Sequence, residues 1–327
     1  MIWRKYLNKV VHELIEYLEK DIQYSGMPRG HIRQIAWREI ESFIKKFKNW
    51  SPEKLVLKEN AKIDHFDKVS LINFLKKRQR GVPLAYITGQ QEFCGLNFKV
   101  DKNTLIPRPE TEELVEKALN LISERFLPNK RPWVLIDFGT GSGCVVVSVV
   151  RNLAAFGAKY RVFAVDNSAK ALKMAKINAK KLLGNSSGIN FIRSANLEFL
   201  DSLKLSPDVS IFIIANLPYL SQKEYKNVSP EVKKEPKNAL IGGRQGSELI
   251  IQLLDQLKKF NNPIEILLEI SPTIYPRLKK YCASNIKISR FSFSRDLSKK
   301  IMIFYLKTKS NNLSIAHSKP CSYCRKY

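Results

Sequence analysis

The sequence predicts a doubly wound, mostly parallel α/β sheet preceded by a small bundle of helices. Three observations carry that expectation. Val134, Leu135 and Ile136 form a continuous apolar run that leads into glycines at 139, 141 and 143. A second run, Arg161 to Val165, ends in Asp166, and a third, Val209 to Ala215, ends in Asn216-Leu217-Pro218-Tyr219. Short apolar runs of this kind suit strands buried on both faces, and from about residue 113 they alternate with helical patterns.

Residues 1–82 read as helices. Val11, Leu14, Ile15 and Leu18 stand at helical spacing, as do Ile32, Ile35, Ala36, Ile40, Phe43 and Ile44, and then Leu71, Phe74 and Leu75. These stripes, with Trp50, are expected to form a core. Residues 83–112 read as a linker. Gln91–Cys94 and Leu96–Val100 flank Gly95, which predicts a β-hairpin, and Pro107 and Pro109 hold an extended segment before a helix over about 111–124. Arg108 and Glu110 stand there as site residues or as a local ion pair.

Residues 113–307 contain the predicted sheet. Val145–Val150 reads as a helix despite its β-branched residues, and Ala169–Leu183 as a helix opened by Ser168. Later strands are expected at Ile264–Ile270, about 286–293, and Lys300–Leu306. Residues 308–327 are polar and basic and read as an appendage. Cys321 and Cys324, with His317, have zinc-like spacing but supply three ligands and no second knuckle, so no metal site is expected. His12, His31 and His65 have no partner motif.

Composition bounds the problem. With 327 residues, 44% of them hydrophobic, the chain has room for about two globular domains. No apolar run is long enough to span a bilayer, and the five scattered cysteines fit a reducing cytoplasm. A net charge of +26 suits steering toward a nucleic acid or a ribosome-associated partner, and equally suits lysine-rich solvated faces.

The motifs narrow the chemistry. A strand, a glycine turn (Gly139, Thr140, Gly141, Ser142, Gly143) and a helix N-terminus form a nucleotide crevice, and a carboxylate at Asp166 can accept hydrogen bonds from both ribose hydroxyls. The spacing fits a dinucleotide fingerprint poorly, and no Gly-Lys-Ser/Thr follows, which excludes a phosphate-binding P-loop. Asn216-Leu217-Pro218-Tyr219 at a strand end can hold a planar NH2 group: Asn216 accepts through its side-chain oxygen, the Leu217 or Pro218 carbonyl accepts beside it, and Tyr219 offers a flat face. Together these features describe an S-adenosylmethionine-dependent methyltransferase acting on an amide or base nitrogen.

The sequence resembles the release-factor glutamine methyltransferases, the HemK/PrmC family, from about residue 5 to about residue 307. The resemblance rests on Thr104-Leu105-Ile106-Pro107-Arg108-Pro109-Glu110-Thr111-Glu112, Leu84–Gly89, Glu92-Phe93, Glu235-Pro236, Ala239–Gly243 and Leu267–Ile270, besides the glycine loop and the Asn216 motif. It implies a seven-stranded class I methyltransferase sheet with an antiparallel edge hairpin, and methylation of the glutamine in the Gly-Gly-Gln loop of class I peptide release factors. By that resemblance Gly139–Gly143 and Asp166 hold the cofactor, Asn196 and Leu197 lie along its adenine, Asn216 to Tyr219 receive the glutamine, and residues 1–82 recognise the substrate. The chain departs from the usual pattern at Leu217, where proline is common, and at Asn196 and Gln245, where acidic residues are. Asn-Leu-Pro-Tyr is also the form found in ribosomal-RNA adenine dimethylases. An adenine-N6 methyltransferase is therefore the alternative reading, and a catalytically silent binding protein a third.

Overall fold

A computed structural model describes residues 1–128, 132–153, 160–185, 187–284, 288–295 and 302–308. The basic tail with His317, Cys321 and Cys324 lies, apart from Thr308, outside the described residues.

The N-terminal region is helical. Helices α1 (Trp3–Leu18), α2 (Arg29–Lys48), α3 (Pro52–Lys58) and α4 (His65–Gln79) enclose a core of Leu7, Leu14, Leu18, Ile40, Ile44, Leu71 and Phe74. Two of the helices begin at side-chain caps: Ser51 accepts from the Lys54 N–H, and Asp64 from the Asp67 N–H at 2.7 Å. Trp50 is half-buried and packs on Trp3 with ring centroids 5.2 Å apart. His12, His31 and His65 are exposed.

A short helix α5 (Leu84–Thr88) leads to the hairpin of β1 (Gln90–Phe93) and β2 (Leu96–Lys99). Cys94 and Gly95 form its two-residue turn, both at positive φ, the backbone such a turn requires. Helix α6 (Glu110–Leu121) follows, and one wider turn carries it on through Phe126.

The remaining elements build the sheet: β3 (Trp133–Phe138), α7 (Cys144–Leu153), β4 (Tyr160–Asp166), α8 (Ala169–Leu183), β5 (Ile189–Arg193), α9 (Phe199–Ser202), β6 (Ser210–Ala215), β7 (Leu220–Ser221), α10 (Gln222–Lys226), β8 (Ile241–Gly243), α11 (Glu248–Leu257), β9 (Ile264–Ile270), α12 (Tyr275–Ala283), β10 (Ile288–Arg295) and β11 (Met302–Thr308). The seven-stranded order is β10-β11-β9-β6-β3-β4-β5, parallel from β9 to β5, with β11 and β10 joined antiparallel. The expected edge hairpin is therefore present. Two short strands, β7 and β8, form a separate parallel pair that periodicity did not predict.

Alternation along β3 shows why its apolar run is continuous. Trp133 and Leu135 face one core with α6, α7 and the β-hairpin, while Val134 and Ile136 face the other with α11 and α12. Among the described residues no helix is long and apolar enough to cross a membrane, and no cluster of His, Cys, Asp and Glu is arranged to hold a metal.

Candidate active site

The chain runs outward from β3 to β4 and β5, then returns to place β6 on the other side of β3. At such a reversal the connections above the sheet diverge, and the crevice opens at the carboxyl ends of the two strands. The glycine loop leaves β3 there, and Asn216 leaves β6 beside it.

The loop is braced from below. The N–H groups of Gly139 and Thr140 both donate to the Val165 carbonyl, at 2.8 and 2.9 Å. Gly139 and Gly143 have φ near +80°, and a Cβ on Gly143 would lie 3.0 Å from Ala175 of α8, so both positions require glycine. Asp137, at the end of β3, accepts from the Thr140 hydroxyl at 2.6 Å and from the Val146 N–H at 3.2 Å. Burial pushes its carboxyl up to about 7, against the pull of those two bonds. Buried Asn178 of α8 donates to the Ser142 and Lys99 carbonyls and accepts from the Lys99 N–H, which ties hairpin, loop and helix together. Sequence reasoning assigned nothing to Asp137 or Asn178; a carboxylate at a buried strand end was the available signal for the first.

Asp166 ends β4 as expected. Its two oxygens accept from the Gly141 N–H at 2.9 Å and the Ser168 N–H at 2.8 Å, while Ser168 separately caps α8. Burial raises its carboxyl above the ordinary range, opposed by those backbone bonds. With bonds from the Gly141, Ser168 and Asn167 N–H groups, the carboxylate still has acceptor capacity left, and a Cβ placed on Gly141 would meet nothing closer than 4.0 Å. The pre-oriented carboxylate beside open space over a glycine backbone suits a ribose. Asn196 is half-buried in a tight turn, its side-chain oxygen accepting from the Glu198 N–H at 3.1 Å. Leu197 is fully buried, and its N–H is engaged by Gln256 at 2.7 Å.

Asn216-Leu217-Pro218-Tyr219 meets the glycine loop directly. The Leu217 side chain stands 3.0 Å from where a Gly139 Cβ would be, and the Asn216 carbonyl 3.9 Å from it. A second loop supports the motif from behind. A Cβ on Gly242 would fall 2.2 Å from the Pro218 oxygen, and one on Gly246 2.3 Å from the Tyr219 oxygen. Gly242→Ala is therefore expected to displace the Pro218–Tyr219 backbone and reduce turnover at least about tenfold, while cofactor affinity, measured by calorimetry, stays near wild type. An alanine variant with full activity would show that the contact can relax harmlessly.

The side chains of the motif are held by two distant residues. Asn216 donates through Nδ2 to the Thr111 hydroxyl at 3.1 Å. Thr111 donates to Glu269 Oε2 at 2.7 Å, and the Tyr219 hydroxyl to Glu269 Oε1 at 3.1 Å. Burial raises the Glu269 carboxyl to about 7, countered mainly by the Thr111 and Tyr219 bonds. Burial and then the Glu269 charge push the Tyr219 phenol up. Arg108 pairs with Glu235, whose other oxygen accepts from the Ile106 N–H at 2.9 Å. The local pair with Glu110 is thus replaced by a clasp between segments distant in the chain.

Residues 33–89 match the family described as the PrmC N-terminal domain. The release factor glutamine methyltransferase of Rhodopirellula baltica is 35% identical over 234 residues, covering 71% of this chain and 75% of that protein. The chain belongs to the release factor glutamine methyltransferase family. The Flavobacterium psychrophilum member is 32% identical over 271 residues, 79% of this chain and 90% of its own length. Among solved structures, the hMettl16 catalytic domain in complex with a MAT2A 3′UTR hairpin superposes with a TM-score of 0.51 at 15% identity, covering 71% of this chain and 82% of that one. That likeness shows the fold, which is the class I methyltransferase fold of the family.

Proposed function

We propose that this chain methylates the N5 nitrogen of the glutamine side chain in the Gly-Gly-Gln loop of class I peptide chain release factors, with S-adenosylmethionine as methyl donor. The observation that carries the reading is the Asn216 carboxamide: half-buried beside the glycine loop, its nitrogen given to Thr111, its oxygen left for an incoming NH2 group.

Gly139, Thr140, Gly141, Ser142 and Gly143 provide the backbone floor for the cofactor, Asp166 the ribose acceptor, and Asn196 the adenine-side wall, with Leu197, fully buried, packed behind it. When bound, S-adenosylmethionine supplies an electrophilic methyl group. The chain's part is orientation. An amide nitrogen is a poor nucleophile because its lone pair is delocalised. Two acceptors on its hydrogens hold the nitrogen in line and stabilise the positive charge that grows as the new bond forms. Asn216 Oδ1 is one. The Pro218 carbonyl lies against Gly242, which leaves the Leu217 carbonyl as the second. Tyr219, fixed at its hydroxyl by Glu269, presents its ring to the planar group. The amide proton leaves after transfer, when the nitrogen has become strongly acidic; no side chain is assigned to take it.

Residues 1–82 serve as the recognition module, residues 83–112 as the connection that carries Thr111 to the site, and residues 113–307 as the catalytic domain. The match of residues 33–89 to the PrmC N-terminal domain supports the first of these. The +26 net charge suits a partner that works on the ribosome, and a cytoplasmic setting goes with that substrate.

The test is labelled methyl incorporation with release factor and unmethylated small-subunit ribosomal RNA offered separately, and a Gln→Ala release factor as control. Incorporation is expected into the wild-type factor alone. Labelling of RNA only, or of the Gln→Ala factor at full rate, would overturn the assignment.

A further inference from the structure

Glu269 stands next to last in β9, 1% exposed; of the strand's two glutamates it is the one at the carboxyl end beside the Asn216 motif, and a carboxylate so buried is costly unless it is hydrogen-bonded. An ionised carboxylate can only accept. The Thr111 hydroxyl, 2.7 Å away, has one hydrogen and gives it to Glu269, so toward Asn216 it can only accept. The atom of Asn216 nearest Thr111 must then be the NH2 nitrogen. Tyr219 likewise spends its hydrogen on Glu269.

We propose that Glu269, acting through Thr111 and through its own acceptance from the Asn216 NH2 group, is a positioning residue that sets the flip state of the Asn216 carboxamide, so that Oδ1 and not Nδ2 faces the acceptor nitrogen. This rests on the reading of Asn216 as the acceptor-binding residue. A flipped Asn216 would present donors to an NH2 group, which is repulsive, and the site would lose its orientation.

The arrangement carries a pH signature. Protonated Glu269 would hold a hydrogen of its own, and Thr111 could then turn its hydrogen to Asn216 Oδ1. The groups facing Glu269 are Glu110 and Thr111 from α6 and Asn216 and Tyr219 from the loop after β6; β11 places Ile303 opposite it. Glu110 is a like charge and raises the Glu269 pKa, while Arg108 stands near Tyr219 and lowers that phenol's. The acceptor-competent state is therefore the ionised one, present above about 7 and lost as the pH falls through that value.

The experiment compares wild type with Thr111→Val, Thr111→Ser and Glu269→Gln in the full chain. For Thr111→Val, kcat on release factor is expected to fall at least about tenfold with KM and cofactor affinity within about twofold, and Thr111→Ser is expected to restore it. Wild-type kcat should show an acidic limb near 7 that Glu269→Gln abolishes; a limb arising from Asp137 beneath the glycine loop would persist in that variant. The Asn216 side-chain ¹⁵N–¹H signals should titrate with the same midpoint in wild type and not in Glu269→Gln. Equal kcat in Thr111→Val and wild type, a serine variant as slow as the valine one, or amide signals indifferent to pH and to Glu269→Gln would each overturn the proposal. A wild-type enzyme inactive on release factor whose Asn216 signals nonetheless titrate as stated would sink the substrate assignment and uphold the switch.

Discussion

Arg78→Ala is expected to destabilise the protein by about 3–5 kcal/mol, the loss typical when one partner of a buried ion cluster is removed. Arg78 is fully buried. Its Nε and Nη2 donate to the two oxygens of Glu39 at 2.6 and 2.9 Å, Nη2 also to Glu231 at 2.7 Å, and Nη1 to the Val82 carbonyl at 2.8 Å. Even with these bonds, burial holds the Glu39 carboxyl above the ordinary range. Without the guanidinium, two carboxylates would face each other in a poorly hydrated site. The position also decides what is lost. Arg78 belongs to α4 and Glu39 to α2, whereas Glu231 follows α10, in the segment after Tyr219. Gly81 packs on Pro230 next to it, with 3.1 Å between a would-be Cβ and the proline ring. The cluster is a bolt between the helical bundle and the segment beyond the Asn216 motif. Urea unfolding of wild type and variant is the measurement. The deficit should shrink as the pH falls and the carboxylates protonate. A loss below about 1 kcal/mol, the range of exposed pairs, would mean that water replaces the guanidinium and that the bundle is held by apolar contacts instead.

The sheet was legible because its strands are buried on both faces. Trp133–Phe138, Ser210–Ala215 and Ile264–Ile270 are nearly unbroken apolar runs, and each stands within a residue or two of where the sequence placed it. Ser168 announced helix α8 to the residue. The β1–β2 hairpin was legible from its turn and the β10–β11 edge pair from the resemblance, but β5, β7 and β8 were not. β5, Ile189–Arg193, alternates polar residues with partly buried ones and was passed over, and β7 has two residues, too few for any period. In the site, Gly139–Gly143, Asp166 and Asn216–Tyr219 stood out because each is a local signal at a strand end. Thr111 and Glu269 lie 105 and 53 residues from Asn216 along the chain, and their roles exist only once the sheet is assembled. Both stood inside stretches that carry the resemblance, Thr104–Glu112 and Leu267–Ile270, but nothing in those stretches assigned either a role or picked Glu269 over Glu265. Of the two readings left open for Arg108, the local pair with Glu110 gives way for the same reason: the fold supplies Glu235 as its partner.

Asn216→Ala is expected to lower kcat by about 10²–10³-fold, the cost of removing one hydrogen-bonding group that acts on charge developing in a transition state. In the ground state the acceptor amide nitrogen is nearly neutral and its hydrogens are ordinary donors. As the methyl group bonds to it, the nitrogen becomes positive and its N–H groups become much stronger donors. The bond to Asn216 Oδ1 therefore strengthens on the way to the transition state, and only such differential interactions raise the chemical rate. Cofactor affinity should change little, since Asp166 and the glycine loop keep their own bonds to Val165 and to Ser168. Release-factor KM should also hold if residues 1–82 are the recognition module proposed above. The substitution leaves Thr111 without its donor but with Glu269 still satisfied, so the local fold should survive. Single-turnover kinetics with saturating cofactor isolates the methyl-transfer step from product release. A rate within threefold of wild type would show that the glutamine is oriented by backbone carbonyls alone, and would move the source of selectivity from the Asn216 side chain to the Leu217–Pro218 turn.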